Sequence, residues 1–405
     1  MNSQQGRAQQ QQGNANVAPA QVRPGYLREV FNTVLGRTTT RVGLVWLTLL
    51  VIAAVFAPFI ATSHPWLVSE QGVVSSPALS HLTATDKVLL WLLSAGAVLY
   101  FVPWRAAKKW LIFALSGIAV GVVAYAGQPP PTLVIYEQYR LKAAQKSYDW
   151  VIFAPIAFSP KDYLRDAGNN MLEAPLANPS RNHWLGTDEN GADVLSRMIH
   201  ASRIALGIGF IATGIAMAIG IVLGGLMGYF SRAVDMIGMR LVEIFEAIPT
   251  LFLLLTFVAF FGRSLYLMMV IIGITGWTGY ARFVRAEFLR LRQQDFVQAA
   301  VACGLPLRSI LFRHILPNGM APILVSASFG IASAILAEAT LSFLGLGLVD
   351  DPSWGQMLNQ AVRSSNFNWW MALFPGGAIF LTVFAYNLIG EALRDALDPF
   401  LNKNA

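Results

Sequence analysis

Charged residues are scarce in this chain. Only 13% of its 405 residues are charged, 55% are hydrophobic, and the mean hydropathy is +0.52. That charge content is well below the typical value for soluble domains, so the composition excludes an ordinary soluble fold. One helical crossing of a bilayer needs about 20 apolar residues, and the chain supplies such runs repeatedly. We therefore predict an all-α polytopic membrane protein embedded in the lipid bilayer.

Cysteine, clustered histidine and nucleotide-binding motifs are also lacking. The single cysteine, Cys303, excludes an intrachain disulfide and a cysteine metal cluster. The five histidines are dispersed, and neither an HExxH zinc pair nor a GxxxxGK[ST] phosphate loop occurs. We expect no metal, no cofactor and no catalytic residue. The net charge of +7 is spread over short clusters and forms no continuous basic face, which disfavours nucleic acid as a partner.

Apolar runs predict about eight transmembrane helices. Helices are the expected structure for runs this apolar, because every backbone polar group in hydrocarbon must be satisfied within the segment. The second and third runs are the shortest. The runs cover residues 43–62, 88–103, 110–126, 204–229, 245–261, 265–281, 321–346 and 371–391.

These runs divide the chain into segments. The first is polar, rich in Gln and Asn, and expected to be cytoplasmic and disordered at least to Val22. The first apolar run begins too late and is too long for a cleavable signal peptide. The segments are 1–42 (cytoplasmic), 43–126 (N-terminal helices, including a hairpin at 88–126), 127–203 (external), 204–399 (a helical core with a cytoplasmic loop at 282–320) and 400–405 (a tail).

Lysine and arginine indicate the orientation, because short loops rich in these residues favour the cytoplasm. With eight spans, every basic group falls on one side, and both termini are then cytoplasmic. With six spans, losing the hairpin, the later loops keep that side. The basic residues are Arg37, Arg41, Arg105, Lys108, Lys109, Arg232, Arg240, Arg282, Arg285, Arg290, Arg292, Arg308 and Arg313.

The loop segment 295–318 is amphipathic and has the sequence DFVQAAVACGLPLRSILFRHILPN. Its small residues recur at helical spacing, and small side chains let another protein approach closely. Pro306 and Pro317 predict a short helix, a break, and a second helix entering the membrane. The alternative is an amphipathic linker resting on the membrane surface.

This stretch resembles the EAA loop of ABC importer permeases. The similarity lies in Gln298-Ala299-Ala300, Gly304 and Leu316-Pro317, with Gln298 where the motif usually has Glu. Ile315 stands one place after the expected Ile. In that family the loop forms a coupling helix that docks in a cleft of a cytoplasmic ATPase subunit. The resemblance implies an ATPase-coupling surface made of Phe296, Gln298, Ala299, Ala300, Cys303, Gly304, Leu305, Leu307 and Arg308.

A second stretch, HWLGTDENGADVLSRMIHASRIAL over residues 183–206, resembles the HPLGTD..GRDVLSR motif of dipeptide and oligopeptide permease subunits of the C type. Trp184 replaces the usual Pro and Ala192 the usual Arg. Acidic residues at helical spacing from Arg197 also suit a capped helix start with an ion pair, so a structural role and substrate contact both stay open. The candidate residues are Gly186, Thr187, Asp188 and Asp193.

Four more matches follow in family order: RLVEIFEAIPTLFLL, EATLSFLGLG, DDPSWGQML and GEALRDALDP. Together they cover nearly all of residues 183–399. The first 182 residues match less well, since the usual member has six spans and nothing like the 88–126 hairpin. The resemblance implies the type I ABC importer transmembrane fold in a bacterial inner membrane. The implied partners are a second permease subunit, two cytoplasmic ABC ATPases and an extracytoplasmic solute-binding protein.

Two features in the core carry open alternatives. A charge at Glu338 is costly inside an apolar run, so this residue either lines the translocation path or has a paired or protonated structural role. Gly220, Gly224 and Gly228 leave one helix face nearly bare and predict tight packing. The packing partner is a helix of this chain or the second permease.

The sequence thus predicts half of a pore for peptides, with ATP hydrolysed by partner subunits. Within the family the cargo could instead be nickel, glutathione or another small solute. An ion-coupled secondary transporter would be expected to show mid-membrane carboxylate pairs or broken helices in related halves, and only Glu338 fits that description. A membrane-embedded enzyme is disfavoured by the missing catalytic constellations.

Overall fold

The computed structural model of the protein describes residues 33–103, 106–127, 136–163, 176–230, 232–348, 351–364 and 367–397. The predictions for most of segment 1–42, for the tail 400–405 and for parts of the region 127–203 lie outside these residues. Within them the chain is mostly helical, as its apolar runs predict.

The described helices and strands follow in chain order. They are α1 (Thr38–Ile60), β1 (Leu67–Glu70), β2 (Val73–Ser75), α2 (Pro77–Ser80), α3 (Ala84–Phe101), α4 (Ala106–Ala126), α5 (Gln138–Ala144), β3 (Trp150–Ile152), α6 (Val194–Phe230), α7 (Arg232–Ala247), α8 (Thr250–Phe261), α9 (Leu265–Thr275), α10 (Trp277–Arg292), α11 (Asp295–Ala302), α12 (Leu307–Ser309), a π-helical turn (Ile310–Ile315), α13 (Leu316–Leu341), a second π-helical turn (Ser342–Leu346), α14 (Trp354–Arg363) and α15 (Trp369–Leu397).

Six helical stretches among the described residues are long and apolar enough to cross a membrane, and bent pairs raise the number to eight. One pair is α7 with α8, which meet at 80°, and the other is α9 with α10, which meet at 41°. The sequence predicts one straight span over 245–261, whereas the chain turns at Pro249, between α7 and α8. Proline has no N–H to continue a helix, which explains a break at this position.

Helix α6 lies at the centre of the bundle, and its bare face packs on α10 of the same chain. A Cβ at Gly220 would meet Tyr280, one at Gly224 would overlap the Ala281 carbonyl, and one at Gly228 would meet Arg285 and Phe288. Only glycine lets the two backbones approach this closely. These residues therefore form a contact within the chain.

The predicted hairpin is present as α3 and α4, which pack against each other where Trp91 covers Gly117. Its base is held to the core by Asp86, whose carboxylate receives a hydrogen bond from Arg203 of α6 at 2.5 Å. The Arg203 guanidinium also donates to the Ala54 carbonyl of α1 at 2.6 Å. Most of the hairpin surface is apolar and exposed in the chain.

The bundle has two distinct ends. At one end Arg37, just before α1, pairs with Asp395 of α15 at 2.6 Å, and Arg292 at the end of α10 donates to the Tyr229 carbonyl of α6. At the other end His200, near the start of α6, contacts the Ala61 carbonyl just after α1. Since α1 and α6 run in opposite directions, the loop after α10 lies at the same end as the start of α1.

The other end carries a cap that the sequence did not predict. We call residues 61–81 and 136–163 the strand cap. Its three short strands form an antiparallel sheet in the order β2–β1–β3. Arg140 of α5 pairs with Asp162 at 2.6 Å, and the Ser63 hydroxyl donates to the same carboxylate at 2.5 Å. These buried contacts join the two segments of the cap, and Ile156 N–H donates to the Ile60 carbonyl at the end of α1 at 3.0 Å.

Candidate functional site

The loop between α10 and α13 contains the predicted coupling helix, which is α11. This helix ends with two hydrogen bonds that form a Schellman motif: Gly304 N–H donates to the Val301 carbonyl at 2.9 Å, and Leu305 N–H donates to the Ala300 carbonyl at 3.2 Å. Gly304 has a φ of +72°, in the left-handed region that glycine adopts without penalty. Pro306 follows and prevents continuation of the helix. The sequence thus fixes the end of α11 locally.

The outward face of this loop is apolar and exposed. Phe296 is 40% exposed, Val301 47% and Leu307 40%. Large apolar side chains grouped on a surface are typical of a protein contact site. We call nine of the exposed residues of this loop the coupling surface, after the role that the sequence motif predicts: Phe296, Gln298, Ala299, Val301, Cys303, Gly304, Leu305, Leu307 and Arg308.

The inward face of α11 differs from the sequence prediction at one position. Ala300 is only 6% exposed and packs with Val297 against Phe288 and Leu291 of α10. Val297 and Ala300 are three residues apart and therefore share one helix face. Ala300 therefore belongs to the buried face of α11, and the neighbouring Val301 is exposed instead. The apolar Val297, three residues before Ala300, could have indicated from the sequence that Ala300 lies on the buried face.

The same buried cluster reaches the helix that enters the bundle after the break. Ile310 and Ile315 of the π-helical turn are buried in the cluster beneath α11, together with Ile323 of α13. The predicted break occurs at residues 303–306, but Pro317 does not end the helix and lies in the first turn of α13. Proline is tolerated in the first turn of a helix. Thus α11 contacts both α10 and the π-helical turn that leads into α13.

Most of the arginines around the loop are held within the chain. Arg282 pairs with Glu246, Arg285 pairs with Asp235, and Arg290 pairs with Glu287 at 2.5 Å. The first two pairs connect α10 to α7. By contrast, Arg308 on the coupling surface and Arg313 have no hydrogen bond or ion pair within the described part of the chain. These two cations are available to a partner.

The candidate residues before α6 form a buried polar knot at the cap end. Asp193 caps α6, since its carboxylate accepts from Ser196 N–H at 2.7 Å and contacts His183 Nδ1 at 2.9 Å. Asp188 pairs with Arg197 of α6, and both side chains are nearly fully buried. The N-terminal cap of α6 and the ion pair that the sequence suggested are therefore present.

Gly186 and Thr187 connect this knot to the last helix. Trp370 of α15 donates its indole N–H to the Thr187 carbonyl at 3.2 Å, and a Cβ at Gly186 would overlap that indole ring. The Thr187 hydroxyl accepts from Ala177 N–H at 2.7 Å. All four candidate residues of this motif are buried, so each has a visible structural role.

Glu338 lies near the end of α13 and is 2% exposed. Ser342 of the following π turn donates its hydroxyl to this carboxyl group at 2.5 Å, and the Ser353 hydroxyl lies beside it. Ser353 in turn caps α14, where its oxygen accepts from Gln356 N–H at 3.2 Å. The structure therefore places Glu338 in a brace between α13 and α14.

Known proteins are similar to this chain in sequence. Residues 220–403 match the family described as binding-protein-dependent transport system inner membrane component. The dipeptide transport system permease protein DppC of Alkalihalophilus pseudofirmus is 40% identical over 249 residues, which are 61% of this chain and 80% of that protein. The chain belongs to this family of transport permeases. The resemblance stated from its motifs and the predicted helical membrane fold are confirmed.

Other permeases of the family have similar identity. The oligopeptide transport system permease protein OppC of Haemophilus influenzae is 38% identical over 252 residues, covering 62% of this chain and 80% of that protein. The glutathione transport system permease protein GsiD of Pectobacterium atrosepticum is 42% identical over 224 residues, covering 55% and 74% respectively. The chain is thus a multi-pass membrane permease.

Proposed function

We propose that this permease forms half of the translocation pore of an ATP-driven ABC importer for peptides. The observation that carries the proposal is the coupling surface, an exposed apolar face on a short helix at one end of a membrane bundle. Relatives named as dipeptide and oligopeptide permeases support a peptide cargo. Glutathione is the second candidate, because a glutathione permease is 42% identical, and glutathione is itself a small peptide.

The chain works with partners in this proposal. Two ABC ATPases bind and hydrolyse ATP, one on the coupling surface of each permease subunit. A second permease subunit completes the pore, and a solute-binding protein delivers the peptide at the cap end. The chain itself has no catalytic role. Arg308 and Arg313 suit an acidic rim of the ATPase cleft, because they have no ion pair within the described residues.

We infer the orientation from the arginine-rich loops and from the arrangement of the two ends. The coupling surface and the start of α1 lie at one end, together with the end of α15, and the strand cap lies at the other. We place the first end in the cytoplasm, because the arginine-rich loops belong to it. Both termini are then cytoplasmic, and the strand cap faces the binding protein.

Movement passes from the ATPase to the pore through packed side chains. When ATP closes the ATPases, they displace α11, whose buried face belongs to a cluster that includes α10 and the first turns of α13. A close-packed cluster transmits such a displacement with little loss. Both helices then move relative to α6 and change the access to the pore. Differential contacts of the ATPase with the two states supply the energy.

Reconstitution of the whole complex in proteoliposomes tests the proposed function. We expect uptake of labelled trialanine that requires ATP on the cytoplasmic side and a peptide-binding protein on the other. Reduced glutathione is the parallel cargo for the second candidate. Uptake driven by a proton or sodium gradient without ATP would contradict the proposal and favour an ion-coupled transporter.

A further inference from the structure

A cavity of about 420 Å³ opens between α6, α8, α9, α10 and α13. Thr213 lies near the middle of α6 and Ser326 to Ser333 near the middle of α13, so the cavity lies near the middle of these two helices. Its volume falls within the range typical of small-molecule sites. Neither the coupling surface nor the polar knot before α6 contributes to it.

The polar groups of this cavity are hydroxyls. No Lys, Arg, Asp, Glu or His occurs among the lining residues that the structure describes. Hydroxyl groups both donate and accept hydrogen bonds, whereas the absence of charge excludes recognition of an ion by an opposite charge. The hydroxyl-bearing residues are Thr213, Thr250, Thr275, Tyr280, Ser326 and Ser333.

Two of these hydroxyls are only weakly satisfied by the protein. The Tyr280 hydroxyl reaches the Ser326 carbonyl at 3.4 Å, a long hydrogen bond. Thr213 is 5% exposed, and its hydroxyl lies beside the Tyr280 hydroxyl without a hydrogen bond of good geometry to it or to another described residue. An unpaired buried hydroxyl is destabilising. A ligand or water in the cavity would satisfy it.

The cavity also lies at the break in a membrane helix. The 41° bend between α9 and α10 occurs at Gly276, which lines the cavity. Irregular backbone inside a membrane is found where it is buried in protein or lines a water-filled cavity. One turn further on, Gly279 also lines the cavity, and a Cβ there would meet no atom within 4 Å.

We propose that this cavity is a peptide-binding subsite in the membrane, whose hydroxyls bond the amide groups of the passing peptide. Each amide offers one donor and one acceptor, and a hydroxyl can pair with either. The uncharged lining makes binding independent of charged side chains, and it offers no imidazole, thiolate or carboxylate to a nickel ion. This inference rests on the proposed function and adds the site at which the cargo is held.

Filling the cavity gives the first test. In the reconstituted complex with its ATPases and binding protein, Gly279→Leu adds a side chain at the cavity wall, where an added Cβ meets no atom within 4 Å. Gly214→Leu is the matched control, because Gly214 lies on α6, has no atom within 4 Å of an added Cβ, and does not line the cavity. We expect Gly279→Leu to lower trialanine uptake about tenfold or more, as expected for several lost contacts, and Gly214→Leu to leave it unchanged.

Removing one hydroxyl gives a finer test. Thr213→Val keeps the shape of the side chain and should raise KM for trialanine about three- to tenfold, the value of one hydrogen bond. The control is Thr340→Val on α13, whose hydroxyl bonds to the Leu336 carbonyl of its own helix and lies outside the cavity. Equal KM values for wild type and Thr213→Val would contradict hydroxyl recognition.

Thiol protection shows directly whether the peptide occupies the site. Gly279→Cys adds one thiol to a chain whose own single thiol, Cys303, serves as the wild-type reference, and trialanine during turnover should slow the reaction of the added thiol with a small methanethiosulfonate. An unchanged labelling rate of Gly279→Cys in the presence of trialanine would overturn the proposal, as would an equal slowing of labelling by phospholipid alone. Loss of the second permease from the Gly279→Leu complex would also overturn it. If the wild-type complex imports no trialanine, the proposed function fails first, and the site fails with it.

Discussion

Gly304 is the residue at which the coupling mechanism can be perturbed most cleanly. It terminates α11 with a φ of +72°, and a Cβ added there would have no neighbour within 4 Å. A substitution therefore strains the backbone but does not collide with the chain. Gly304→Val and Gly304→Asn form a matched pair, since asparagine tolerates the left-handed conformation and a β-branched residue does not.

The size of the effect follows from the geometry. A left-handed conformation costs an ordinary L-residue about 1–2 kcal/mol. If valine abandons it, the hydrogen bonds from Gly304 N–H and Leu305 N–H are lost, and each contributes about 0.5–1.5 kcal/mol. A local penalty of about 1–2 kcal/mol changes the population of the native loop by a factor of about 5–30. The membrane bundle should be unaffected, because the strain is confined to the loop.

Coupled turnover measures this change. We expect Gly304→Val to lower peptide-stimulated ATP hydrolysis and uptake together by roughly fivefold or more, in line with that population shift, whereas Gly304→Asn stays near wild type. Gly72→Val strains a residue with a φ of +77° in the strand cap, also free of neighbours, and controls for strain elsewhere. Normal uptake by Gly304→Val, with normal co-purification of the ATPases, would refute the reasoning.

Three further predictions concern the bundle and the cap. Glu338→Leu leaves the Ser342 hydroxyl without its acceptor and should lower the stability of the purified complex by about 1–3 kcal/mol, measured by thermal unfolding; a loss of uptake in Glu338→Gln at unchanged Tm would instead point to the translocation path. Gly224→Leu should abolish assembly, because its Cβ overlaps the Ala281 backbone, while Gly214→Leu assembles normally by size-exclusion chromatography. Burial and the nearby His81 lower the pKa of His64 to about 4. Below about pH 6.5 the unfolded chain therefore binds more protons than the folded chain, so the Tm should fall as the pH drops from about 6.5 to about 4. His64→Gln should reduce this pH dependence of the Tm.

The sequence predicts those features of this fold that depend on local chemistry. Apolar runs locate the spans, and the order of glycine, leucine and proline after α11 locates the end of the coupling helix. The spacing of Gly220, Gly224 and Gly228 predicts a tight contact. Each of these signals is contained in one helix or one turn, so no knowledge of distant residues is needed.

Features that depend on distant residues could not be predicted in this way. The sheet of the strand cap joins Leu67 to Ile152, residues that are far apart in the chain. Ser353 is a neighbour of Glu338 only because α14 folds back on α13. The cavity combines hydroxyls from five helices, none of which is conspicuous in its own segment. Ala300 was predicted on the surface from its small size, whereas its position on the helix face of Val297 determines its burial.

The only cysteine of the chain provides the most direct test of the account. Cys303 lies exposed on the coupling surface, so a membrane-impermeant maleimide reports on this position alone in this chain. The account predicts labelling from the cytoplasmic side of inverted vesicles that contain the two permeases without ATPases, and protection once the ATPases bind. Labelling from the opposite side, or equal labelling with the ATPases bound, would contradict it.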